Sequence, residues 1–244
     1  MAKFRRREGL CLAEGSKVVR ELLGSPWQVE ALLAMDEKKG LWEDFISEIR
    51  RGIPLYSLTG KEWRKLSQDK EPEGIMAVAA VPPPADLEHL LDASAGPILL
   101  LHEIHDPSNL GALARTAHWF GIGTLLLGAG SVDYTNPKAV RSSMGSIFHL
   151  TIAEAIDFTA ILPILKENGY TLVGSEVRKG TAPRPCPPRT ALLVGGESRG
   201  LPEELLSLCG ERWHIPGRGG AESLSLPQAA AIMMYECTKN PVSA

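Results

Sequence analysis

An open α/β sheet of mainly parallel strands, preceded by a smaller α/β domain, is the fold class that three features of the sequence predict. Apolar strand-like runs alternate with helical stretches from Pro97 onward, three consecutive prolines (Pro82, Pro83, Pro84) interrupt the chain, and glycine-marked loops follow apolar strands in the later part. Strands that are apolar throughout belong to a parallel sheet covered by helices on both faces. Its chemistry is expected at the carboxyl ends of the strands.

Before the prolines, a helical pattern over residues 14–23 leads to an apolar segment at 29–35 and a polar helix around 41–51. A short apolar piece at 53–58, another helix and a strand at 74–81 complete a small α/β domain over 1–83. Residues 84–96 read as a proline-rich linker. Beyond it, 97–102 is strand-like, 109–120 helical and 124–127 strand-like. A helix at 157–168 then precedes a strand at 171–173, and a strand at 191–194 precedes a helix at 203–208. A final helix is expected from Pro227 to Tyr235, with Pro227 in the first turn, where no N–H is needed. Its run AAAIMMYE is apolar around more than one face, so it should pack on the sheet and has surface left for a partner.

The chain of 244 residues is 44% hydrophobic and 23% charged, a composition unlike disordered, collagen-like or coiled-coil chains. No apolar run reaches the roughly 18 residues of a membrane span, and the basic start lacks a signal peptide's apolar core. A cytoplasmic protein with no membrane partner is expected. Cys11, Cys186, Cys209 and Cys237 are widely spaced without a CxxC pair, which favours reduced structural thiols over a zinc site or a disulfide framework. A net charge of −3 argues against coating nucleic acid by bulk charge and leaves room for a local basic patch. Residues 1–83 hold 14 Lys+Arg against 13 Asp+Glu, and the remainder 12 against 16. The surplus sits in Lys3, Arg5, Arg6 and Arg7, a terminal arm that reads as phosphate-binding or as solvated and frayed.

Three loops carry the candidate chemistry. In HEIHDPSNLGALARTAHWFGIG (102–123), a turn and cap open a helix and Gly111 permits close approach. Asn109 and Arg115, six residues apart, are expected near one strand end; taken singly, they read more readily as a cap and a surface ion pair. His102 and His105 lack a third ligand, so no metal site is expected. In LLVGGESRGLPEEL (192–205), Gly195 and Gly196 let a ligand reach backbone N–H groups at a helix start. Neither GxGxxG nor GK[ST] is present, and Glu197 suits orienting a loop or a polar ligand better than cradling phosphate. In HIPGRGGAESLSLPQAAAIMMYE (214–236), Ile215 ends a short strand, three glycines follow, and Ser223-Leu224-Ser225 leads into the last helix.

Order and spacing make these loops specific. NLGALARTA, then GGESRGL, then IPGRGGAESLSL, each after an apolar strand, strongly resembles the three motifs of the SpoU (TrmH-like) branch of the SPOUT RNA methyltransferases. NPKAVRSSMGSIFHL (136–150) and EGIMAVAAVP (73–82) also look like that family. Residues 97–240 carry the resemblance closely; the first 80 residues more loosely resemble the RNA-recognition domain of bacterial 23S ribosomal RNA guanosine 2′-O-methyltransferases. The resemblance implies methyl transfer from S-adenosyl-L-methionine to a ribose 2′-hydroxyl of rRNA or tRNA, without metal. It further implies a trefoil knot and a homodimer in which both subunits form the site. By position it assigns catalytic roles to Asn109, Arg115, Glu197 and Ser223, and cofactor contacts to Gly195, Gly196, Ile215, Leu224 and Ser225. The family casts the arginine as base; charged guanidinium has no acceptor atom, so Arg115 is better suited to clamp the adjacent phosphate and polarise the hydroxyl.

One departure stands out. The family usually has Asn-Val-Ser after Ser-Leu, where this chain has Ser225-Leu226-Pro227, so one amide contact is lost or replaced by water. A catalytically silent RNA-binding protein therefore remains an alternative at this stage. A Rossmann-type nucleotide enzyme is the other, against which stands the lack of a glycine fingerprint after the first strand of either domain.

Overall fold

The computed structural model describes residues 2–49, 52–67, 69–85, 96–197 and 199–239. They cluster into two compact units, one of residues 1–83 with 134–149, the other of residues 84–133 with 150–244. Most of the linker expected at 84–96 lies outside the described residues.

In the first unit, β1 (Leu10–Glu14), β2 (Val29–Met35), β3 (Leu55–Leu58) and β4 (Ile75–Ala80) form a sheet in the order β1-β4-β2-β3. Only the β2–β3 pair is parallel. Helices α1 (Ala2–Glu8), α2 (Ser16–Leu23), α3 (Glu43–Ile49) and α4 (Gly60–Leu66) accompany it. Thr59 begins α4 with a reciprocal cap, its hydroxyl accepting from the Glu62 N–H while its own N–H donates to Glu62 Oε2 at 2.9 Å. Leu12, Leu33, Met35, Trp63 and Met76 form a core under the sheet. The terminal arm is not frayed: residues 2–8 are helical, and Arg5 is buried with Nε donating to Thr135 Oγ1 at 3.3 Å.

The second unit holds β5 (Ile98–His102), α5 (Pro107–Trp119) and β6 (Thr124–Gly128). The chain then passes into the first unit with α6 (Pro137–Ser142), and returns for β7 (Thr151–Ile156), α7 (Phe158–Glu167), β8 (Thr171–Ser175) and β9 (Thr190–Gly195). It ends with α8 (Glu203–Leu208), β10 (Glu211–Trp213) and α9 (Leu226–Thr238). The six strands run β10-β8-β9-β5-β6-β7, and every pair is parallel. Ile98 and Leu100 of the central β5 join Phe158, Ile161, Leu165, Leu205 and Leu206 in one core, so α7 and α8 cover one face. The alternate residues Leu99, Leu101, Leu192 and Val194 are equally buried on the opposite face. Burial on both sides is the physical reason that these strands are apolar throughout, with each Leu or Ile contributing about 1.5–3 kcal/mol. Edge strand β7 escaped the sequence pattern because most of its residues are exposed or only half-buried.

The family-like segment NPKAVRSSMGSIFHL, read in sequence as part of the C-terminal region, packs within the first unit. Trp27 meets Tyr134 and Phe148 edge-on at ring separations of 6.3 and 5.1 Å. Arg141 bonds Glu14 at 3.0 Å and Asp69 at 3.1 Å, and His149 Nε2 lies 3.1 Å from Glu21.

Candidate active site at the strand ends

Because the second sheet is entirely parallel, β5, β9 and β10 all end on one edge. His102 is registered beside Gly195, so the loops after β5 and β9 leave the sheet as neighbours. The first loop is pinned by the Ile104 N–H donating to Ser131 Oγ at 3.2 Å and by the Val132 N–H donating to the Ile104 carbonyl at 2.7 Å. Asp106 caps α5 by accepting from the Ser108 N–H at 2.8 Å, and Pro107 occupies the first turn.

The helix thus starts two residues before the expected position, and Asn109 is relieved of capping. Its Nδ2 instead donates to Glu197 Oε1 at 2.7 Å, across 88 residues of sequence. This charge-assisted bond ties the first loop to the second. The second loop crosses the first at backbone distance: a Cβ on Gly196 would lie 2.4 Å from the Glu103 carbonyl oxygen. A Cβ on Gly195 would lie 2.2 Å from the carbonyl carbon of Gly200, whose N–H donates to the Gly196 carbonyl at 3.1 Å. Sequence reasoning gave these glycines to a ligand; the structure also needs them for chain-on-chain contact. Glu103 itself adopts φ 52°, a left-handed conformation that costs a non-glycine residue about 1–3 kcal/mol.

The third loop is more open. Ile215 is half-buried, while Ser223, Leu224 and Ser225 are exposed, Leu224 by 46%. Ser225 stands at the N-cap of α9 without a side-chain cap, its hydroxyl donating to Gln228 Oε1 at 3.0 Å, and Pro227 lies in the first turn as expected. No hydrogen bond among the described residues joins Ser223, Leu224 or Ser225 to Asn109 or Glu197. His214, which sequence reasoning passed over, precedes Ile215; its N–H donates to the Thr181 carbonyl at 2.9 Å, and its buried Nδ1 has no partner among the described residues. Nothing in the sequence marks that nitrogen except its place before Ile215.

Arg115 stands apart from the Asn109–Glu197 pair. Six helical residues advance about 9 Å and end roughly 120° off the starting face. The side chain is exposed, and no hydrogen bond or ion pair joins it to a described residue. Trp119, one turn further, is 84% exposed. Alongside, α9 packs on α5, with the Phe120 and Tyr235 rings 5.9 Å apart, while Ile232 and Tyr235 stay 39% and 53% exposed.

An adenosyl group suits this edge. The uncovered Leu224 side chain, the orphaned His214 nitrogen and glycine-rich backbone offer an apolar surface and neutral hydrogen-bonding groups in place of the clustered cations a phosphate would need. Among the described residues no three His, Cys, Asp or Glu side chains converge as metal ligands.

The six-stranded parallel sheet with three glycine loops at one edge has the fold of the SPOUT class of methyltransferases. Residues 96–235 match the SpoU rRNA Methylase family, and residues 1–77 match the MRM3-like substrate binding domain. The chain belongs to the SpoU rRNA methylase family and is an S-adenosylmethionine-dependent RNA 2′-O-methyltransferase. It is 32% identical over 235 residues to the 23S rRNA (guanosine(2553)-2′-O)-methyltransferase RlmP of Bacillus subtilis, covering 96% of this chain and 90% of that protein. It is 26% identical to rRNA methyltransferase 3, mitochondrial, of Xenopus laevis, covering 96% of this chain and 70% of the other. The AdoMet-bound rRNA methyltransferase from Sinorhizobium meliloti superposes with a TM-score of 0.81 at 25% identity, over 97% of this chain and 89% of that one. The catalytically silent reading finds no support among these relatives.

Proposed function

We propose that the RNA substrate is ribosomal, with a guanosine of the 23S molecule as the expected target in preference to tRNA, and that the protein acts as a cytoplasmic homodimer. The Asn109–Glu197 bond carries the assignment of the site, because it is the point at which two motif loops meet through functional side chains. The similarity to an enzyme named for a 23S guanosine supports the target, and a ribosomal substrate supports the cytoplasm. Residues 1–83 are assigned to RNA choice and 97–244 to methyl transfer, joined by 84–96, in keeping with the two family matches. The family match supports a trefoil knot at this edge.

When bound, S-adenosylmethionine supplies an electrophilic methyl group on a sulfonium sulfur. Backbone groups of Gly195, Gly196, Ile215 and Leu224, with the Ser225 hydroxyl, would hold it against the strand ends. Glu197 is fixed by Asn109 through one oxygen and keeps the other for a polar ligand group. Ser223 supplies a short hydroxyl at the loop where the ribose would enter. Arg115 clamps the neighbouring RNA phosphate and polarises the 2′-hydroxyl, which eases loss of its proton as the new C–O bond forms. A dimer would account for its distance from Asn109 within one chain: Trp119, Ile232 and Tyr235 present an apolar face beside Arg115, and a second copy seated there would receive that arginine at its own site.

Mass-spectrometric mapping of 2′-O-methylated nucleotides in RNA from cells with and without the protein tests this reading. A 23S guanosine that loses its methyl group is the expected result; a change confined to tRNA would overturn it.

A further inference from the structure

Cys186 lies in the proline-rich stretch before β9 and Cys237 in the last turn of α9, a pair that the RNA chemistry does not use. The Cys186 N–H donates to the Cys237 carbonyl at 3.1 Å. A backbone bond of this length brings the two residues into proximity, as in an antiparallel strand pair, where doubly bonded residues have Cα atoms about 5.5 Å apart, and a disulfide bridges Cα separations of about 4.4–6.8 Å. The Cys186 sulfur lies 3.6 Å from the Arg184 carbonyl, and the two thiols influence each other's ionisation.

The two thiols differ. Cys237 is 2% exposed, whereas Cys186 is half-buried between Pro185 and Pro187. The hydrogen bond from Cys237 is the main influence holding the Cys186 thiol below its ordinary range, helped by Thr190 and by the Arg184 charge and opposed by burial and Glu211. That bond and burial push the Cys237 thiol upward. Such a division separates an attacking thiol, which meets reagents as thiolate, from a resolving thiol held behind it.

We propose that Cys186 and Cys237 form a redox-active pair, a modification site at which a low-molecular-weight disulfide such as oxidised glutathione is reduced while the pair closes to an intramolecular disulfide. In the first step the Cys186 thiolate attacks one glutathione sulfur, forming a mixed disulfide and expelling one glutathione thiolate. Cys237 then loses its proton and attacks the Cys186 sulfur, expelling the second glutathione. The protein gives up two electrons and two protons in total, and the oxidised glutathione takes up both. The bond would tie the end of α9 to the segment entering β9, far along the helix from the Ser223–Ser225 loop.

Oxidised glutathione added to the reduced full-length protein at neutral pH, followed by acid quenching and peptide mass mapping, tests this. The expected product is a peptide pair cross-linked through Cys186 and Cys237, two hydrogens lighter than the reduced pair. Cys11 and Cys209 should remain thiols; burial pushes Cys209 up to about 11. Cys237→Ser should stop at one glutathione on Cys186. Cys186→Ser should leave Cys237 unmodified over the time in which wild type closes. Cross-linking of other cysteines, modification of Cys237 in Cys186→Ser at the wild-type rate, or survival of all four thiols would each overturn the proposal.

Discussion

Arg115 shows how one side chain can be prominent in sequence and isolated in the structure of a single chain. As a phosphate clamp and hydroxyl polariser it would act mainly in the transition state, so Arg115→Ala should lower turnover by about 100-fold or more while cofactor affinity stays near wild type. Arg115→Lys should recover part of the loss, because lysine keeps the charge and lacks the planar donor fork. Single-turnover methylation at saturating RNA and cofactor measures both, and a rate for the alanine variant within about threefold of wild type would exclude the role. Gly196 makes a second test, of architecture. An added methyl group would meet the rigid Glu103 carbonyl at 2.4 Å, so Gly196→Ala should destabilise by roughly 2–4 kcal/mol, read by chemical denaturation. Asn109 was legible as important and ambiguous as to why: the sequence admits a cap or a functional amide. Asp106 takes the cap, which leaves the Asn109 amide for Glu197.

Among the elements, strands buried on both faces declared themselves, and those with mixed surroundings did not. β5 and β9 are runs of Leu, Ile and Val because both faces are buried, whereas in β7 only Ala153 is buried and the rest are exposed or half-buried. The pairing of α5 with α9 was half legible. The apolar run in α9 indicated more than one packed face, but Trp119 on α5 carries no periodic signal and became conspicuous only by its 84% exposure. If this face joins two copies, Trp119→Asp should convert the dimer to monomers by placing a charge in a buried apolar contact. Analytical ultracentrifugation reads the mass directly. Methylation should fall with dissociation, because Arg115 would no longer meet a second copy's cofactor loops. A Trp119→Asp protein that remains a fully active dimer would place the interface elsewhere.

At the scale of the whole chain, the two units divide the sequence less simply than the prolines suggest. Residues 134–149 belong to the first unit, where they bury Tyr134, Ile147 and Phe148. No periodicity reveals this, since a segment's own pattern says that it is buried without saying against what. Removing residues 1–83 would uncover those side chains, so truncation is a poor way to separate RNA choice from catalysis. Charge is a better handle. Lys61, Arg64 and Lys65 of α4 are exposed within residues 1–77, the stretch matched to a substrate-binding domain, and phosphate contacts by such cations release counterions. Replacing all three by glutamine keeps α4 helical, because glutamine is a comparable helix former and the Thr59–Glu62 cap is untouched. RNA affinity should fall by about tenfold or more and become less steep in salt, while S-adenosylmethionine binding, measured by calorimetry, stays unchanged. Equal loss of both affinities would mean a damaged fold. An unchanged RNA affinity with an unchanged salt slope would remove α4 from the RNA surface and leave the recognition to other residues of the first unit.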